Sequence, residues 1–317
     1  PPSRARARAS AMAAGGGPAP ARSRLLEALP EDVTSFLTWG SPYALEVSVL
    51  WYCTAVALRV HATFEAKKKA DPTQAEPAWI VPLVTVVMSA YGGGIVDPLL
   101  LNGLPFPLAH DLAVPLAALA WYLVFCCPVL RTHVLDTRLG HILTDLGFEL
   151  LRANICARFQ GVALKAVGYD AADPVGTAGK FYAGPPVAAV VICGAFSCSF
   201  GLFWPLHGPA LGGLAGGVPW LLENAFWMSA WVFLMEHDSQ GAAGAGLRRA
   251  LFGSPEPRDT REVRITAMLF LQVTMVAGRL YNDAYGSINP FRPIHKAFYA
   301  LAGVAEPGRA PAKRKAE

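Results

Sequence analysis

The chain has 317 residues, 53% hydrophobic and only 16% charged, with a formal net charge of +4 and a mean hydropathy of +0.35. That balance excludes an ordinary soluble domain, and a positive charge so small and so scattered excludes a nucleic-acid partner, which needs a clustered basic face. The six cysteines, Cys53, Cys126, Cys127, Cys156, Cys193 and Cys198, sit in apolar stretches, so a disulfide framework is not expected.

In chain order, residues 1–34 read as a disordered tail. The stretch PPSRARARASAMAAGGGPAPARSR is rich in Arg, Ala, Gly and Pro and has no acidic residue before Glu27. Its composition resembles an organelle transit segment, which would give a plastid address; the alternative is translated sequence upstream of the true start. Residues 35–285 read as an all-α polytopic membrane domain, since a spanning helix needs roughly 20 mainly apolar residues. Seven windows qualify: Tyr43 to Val60, Trp79 to Leu101, Leu108 to Leu130, His141 to Val167, Pro186 to Trp204, Val218 to Met235 and Val263 to Leu280. The fourth is interrupted by Asp145, Glu149, Arg152 and Arg158. The stretches AKKKADPTQAEP and QGAAGAGLRRALFGSPEPRDTRE read as solvated connections. Residues 286–317 form a basic tail ending in APAKRKAE, where Lys313 and Lys315 fit the K-x-K-x-x pattern of endoplasmic reticulum retrieval, a signal read from the cytosol. Lys67, Lys68 and Lys69, with Arg131 and Arg138, then fall on the cytosolic side, as the positive-inside tendency favours, whereas Arg248, Arg249, Arg258 and Arg261 fall on the other.

The second window ends in SAYGGGIVDPLLLNGLP, three glycines where a membrane helix should continue. Sliding the chain by 104 positions aligns VTVVMSAYGGGIVDPLLLNGLP with AAVVICGAFSCSFGLFWPLHGP in the fifth window, without a gap. Windows one to three and four to six (about 43–130 and 141–235) then read as two copies of a three-helix unit. An odd number of helices per copy inverts one against the other. Inverted repeats with interrupted helices place a permeation or binding path at the interface between copies. Broken backbone at membrane depth survives only when buried in protein or facing a wet cavity. The candidate pore and helix-break residues are therefore Gly92, Gly93, Gly94 and Asp97 in the second window and Gly194, Ser197 and Gly201 in the fifth. Read from the glycine run alone, close helix packing is the simpler account.

YGGGIVDPLLLNGLP at 91–105 and AWYLVFCCP at 120–128 together resemble the trimeric intracellular cation channel family, over about residues 35 to 285. The resemblance implies seven spans in a three-plus-three-plus-one arrangement, a homotrimer, and a potassium current that balances charge during calcium release from the endoplasmic reticulum. It also implies a lipid-binding set on the fourth helix, onto which Glu149, Arg152 and Arg158 fall, with phospholipid as the bound group. Two family lysines are missing, with Phe148 and Ser197 standing in their places.

No CxxC, HExxH, GxSxG or P-loop pattern is present, so no enzyme, metal or catalytic residue is expected. His110 and Asp111, near a helix start, read as capping and interface groups. Glu149 and Arg152, three apart, share a helical face and read either as a neutralising pair or as pore or lipid groups. Monovalent cation conduction is the expected function, and a secondary transporter built on the same inverted repeats is the alternative.

Overall fold

The computed structural model describes residues 28–73, 77–101, 103–166, 187–199, 220–238, 241–285 and 291–303. Among the described residues all regular structure is helical. The helices are α1 (Glu31–Leu37), α2 (Ala44–Ala70), α3 (Ile80–Leu100), α4 (Ala113–Phe125), α5 (Arg138–Ala166), α6 (Val187–Ser199), α7 (Trp220–Val232), α8 (Ala242–Phe252), α9 (Thr260–Tyr285) and α10 (Arg292–Ala302). Short helical turns occur at Phe106–Ala109 and Pro128–Leu130, and π-helical turns at Arg131–Leu135 and Phe233–His237.

Small residues set how closely these helices approach. On α4, Ala113, Ala117, Ala120 and Val124 are fully buried at helical spacing, and this stripe lies against α2. On α2, Ala44, Ser48, Cys53 and Ala57 are equally buried. Without apolar contrast between lipid and side chain, such seams supply the close van der Waals packing that holds membrane helices together. Gly147 of α5 does the same at another crossing, because a Cβ there would stand 2.1 Å from the Trp51 ring. The next residue, Phe148, stacks on Tyr52 with centroids 4.7 Å apart and planes 5° from parallel.

α2, α3 and α4 contact one another, as do α5, α6 and α7. The two groups join through α2 on α5 and α3 on α6, and α9 packs along α5 and α7. Polar bonds fix that last seam: Gln272 Nε2 donates to the Leu146 carbonyl at 3.1 Å and Asn224 Nδ2 to Thr274 Oγ1 at 3.0 Å. α1 is tied in by Asn154 Nδ2, which donates to the Leu37 carbonyl at 2.8 Å.

α2 and α3 are long and apolar enough to cross a membrane. Ala113–Phe125 with Pro128–Leu135 makes a third candidate if this pair, bent by 76°, is one span. The bend has a local cause. Cys127, held before Pro128, is pushed out of helical geometry to φ −114°, ψ 73°, and Arg131 Nη1 donates to the Val124 carbonyl at 3.0 Å, one of the acceptors the helix end leaves open. The other windows become α5, α6, α7 and α9. By length and apolarity alone they do not complete a count of seven among the described residues.

Four sequence expectations are corrected. The tail boundary at residue 34 moves back, since α1 begins at Glu31 and packs on α9. The lysines of AKKKADPTQAEP are not a loop but the last turn of α2, where cations favour the negative end of the helix dipole. The glycine-rich connection contains α8, held by a fully buried Arg248 that donates to the carbonyls of Pro255 at 2.7 Å, Asp238 at 2.9 Å and Leu234. The basic tail contains α10, with its own amphipathic pattern.

Candidate functional site

The glycine run does not break its helix. α3 continues unbroken from Ile80 to Leu100 through Gly92, Gly93 and Gly94, and through Pro98 as well. The expected helix break at the glycines is therefore a correction, and close approach is its physical reason. A Cβ on Gly93 would lie 2.2 Å from the Ser197 carbonyl oxygen and 2.5 Å from that of Phe196. Gly194 repeats the pattern on α6, where a Cβ would lie 2.4 Å from Ser229 Oγ and 2.9 Å from Gln160 Cγ. Gly92 is buried. Gly201 lies outside the described residues.

Pro98 removes one helical bond without ending α3. Pro98 has no N–H, so the helical bond it would make to the Gly94 carbonyl is missing. Gly94 and Pro98 both line a cavity of about 250 Å³ where α2, α3, α5 and α6 converge. Tyr52, Tyr91, Arg152, Arg158, Ser197 and Cys198 line it too. Gly94 and Ser197, one from each window, thus share one cavity. Ser197 Oγ donates to the Gly194 carbonyl of its own helix at 2.9 Å. Asp97, expected beside the path, is not part of the cavity lining; it is buried, and its Oδ2 has no hydrogen-bond partner among the described residues.

Arg152 forms the centre of the cavity wall. Its Nη1 donates to Glu149 Oε1 at 2.7 Å and Oε2 at 2.8 Å, its Nε to the Cys198 carbonyl at 3.0 Å, and its Nη2 to the Leu221 carbonyl at 2.9 Å. The Glu149 and Arg152 side chains are 0% and 1% exposed, so the pair is neutral and sealed. One guanidinium thus ties α5 to α6 and α7, with four of its bonding directions already taken. A phosphate at Glu149 and Arg152 would have to compete with these four bonds. Arg158, two turns on, is exposed at the cavity and remains the cation open to solvent or headgroups.

Sequence reasoning missed Arg59. Its Nη2 lies 3.3 Å from Asp145 Oδ1, and its Cζ sits 4.0 Å above the Phe148 ring, with Arg152 on the same ring at 5.3 Å. Where the family resemblance expects a lysine, this chain places an aromatic ring attended by two arginines from two helices. A charged residue inside an apolar window was the available signal. His110 Nε2 lies 3.8 Å from Glu46 Oε1.

Fold and site together define a helical, multi-pass membrane protein in which Arg152, paired with buried Glu149, lines a cavity between helices. No family model matches the chain, and no curated protein matches it. Among solved structures, it is similar to one described as "Structural basis for conductance through TRIC cation channels", with a TM-score of 0.46 and 16% identity over 74% of this chain and 93% of that one.

Proposed function

We propose that this chain is a passive channel for monovalent cations, chiefly potassium, in an intracellular membrane, working as a homotrimer and supplying counter-current during calcium release. The observation that carries the reading is the cavity at the crossing of α3 and α6, lined by Gly94, whose carbonyl lacks its usual helical donor because that position is Pro98. Carbonyl oxygens without helical partners can replace part of an ion's hydration shell, the device on which many filters are built. Two further features support it: WYLVFCCP at 121–128 behind the glycine run, and two three-helix groups joined through their first and second helices. The latter is the arrangement an inverted repeat would give, with the path at its interface. Bound phospholipid, if any, would meet Arg158 first.

Planar-bilayer recording of the purified protein in asymmetric potassium chloride tests this. Unitary current steps reversing near the potassium equilibrium potential are expected. Flux without unitary steps would instead support the secondary transporter, whose turnover is too slow to resolve as single events.

A further inference from the structure

α10 is an unusual helix for its position. Apolar residues recur at 294, 297, 298 and 301, while the basic Arg292 and Lys296 fall on the opposite side of the helical register. This is the spacing of one apolar face with a cationic back. Among the described residues, no other helix packs extensively on α10. Ile294 is 49% and Leu301 88% exposed, and Lys296 is exposed on the far side.

What covers the face follows from charge and reach. Phe291, immediately before α10, is 8% exposed and so anchors the start of the helix to the body of the protein. The six residues between Tyr285 and Arg292 extend at most about 25 Å, so α10 cannot leave the neighbourhood of the C-terminal end of α9. Beyond Tyr285 the sequence holds six Lys or Arg against two Glu. A basic amphipathic helix tethered this close to a bilayer has the chemistry of an interfacial element, with apolar side chains among the upper acyl chains and basic ones among anionic headgroups.

We propose that α10 lies in the headgroup plane of an anionic membrane, with Ile294, Ala297 and Leu301 turned into the lipid and Lys296 facing phosphate and carboxylate groups. The proposal rests on the membrane placement of the helical body and is independent of whether that body conducts.

Amide hydrogen exchange of the full chain in nanodiscs tests it, comparing phosphatidylcholine alone with phosphatidylcholine containing about a third phosphatidylserine. An 11-residue helix without packing partners should exchange freely unless something covers it. In the anionic discs the amides of 292–302 should exchange about tenfold more slowly or better, while α2 is unchanged. Leu301→Asp and Lys296→Glu should each abolish the difference, and raised salt should weaken it. Equal exchange in both lipids would overturn the proposal. So would protection that rises with protein concentration in detergent, since a second copy would then be the occupant.

Discussion

Gly93 and Ser197 meet backbone against side of helix: a Cβ on Gly93 would stand 2.2 Å from the Ser197 carbonyl oxygen. The two positions are also partners in the alignment at an offset of 104 residues, so a close approach of two helices falls where the internal echo pairs with itself. Gly93→Ala must therefore push α3 and α6 apart, an overpacking that costs about 1–3 kcal/mol, and Gly93→Leu more. Thermal unfolding in detergent should show the loss. Gly246→Ala, with no atom within 4 Å of the added carbon, is the control and should leave stability nearly unchanged. An unaltered melting curve for Gly93→Ala would contradict the packing account.

Removing one member of a buried ion pair strands the other. Glu149→Gln should destabilise the protein by about 3–5 kcal/mol. Arg152→Lys should not substitute for arginine, because an ammonium cannot reach Glu149 and the carbonyls of Cys198 and Leu221 from one planar fork. Chemical denaturation of the three proteins in the same detergent decides this, and a fully stable Arg152→Lys variant would refute it.

Arg158→Ala should leave the fold intact and reduce binding of inositol phospholipid, whereas Arg152→Ala should act on stability instead. A single exposed guanidinium lacks the second charge that would fix a headgroup, so binding should be weak and salt-sensitive. Tight saturable binding that only Arg152→Ala removes, in protein still well folded, would show that the sealed pair opens to lipid.

Ser197→Lys would add an ammonium to a cavity whose wall already holds Arg152 and Arg158. Cation conductance should fall severalfold and become voltage-dependent, since one elementary charge moved through 100 mV is worth about 2.3 kcal/mol. Ser197→Ala removes only a bond to the Gly194 carbonyl and should conduct almost normally. Single-channel recording of both variants is the measurement, and unchanged conductance in Ser197→Lys would place the path elsewhere.

Protease protection on sealed microsomes should find the C-terminus on the cytosolic side. A protected C-terminal tag would reverse the topology.

The periodicity and length of the apolar windows determined where α2, α3, α5, α6, α7 and α9 run, to within a few residues at most ends outside the basic extensions. The proline of WYLVFCCP likewise dictated the end of α4. These are local properties: a run of apolar residues must bury itself, and a proline lacks a donor wherever it stands. The three glycines could not be read the same way, because a missing side chain permits either a bend or a close neighbour. Only the arrival of α6 at Gly93, 104 residues away in the chain, decided for the neighbour. Arg152 is the same case. Its spacing from Glu149 announced a pair, but its donation to Cys198 and Leu221 depends on two helices that its own sequence neighbourhood does not specify. Arg59 was legible as a charge and illegible as a partner, since Asp145 and Phe148 reach it only once α2 and α5 have packed.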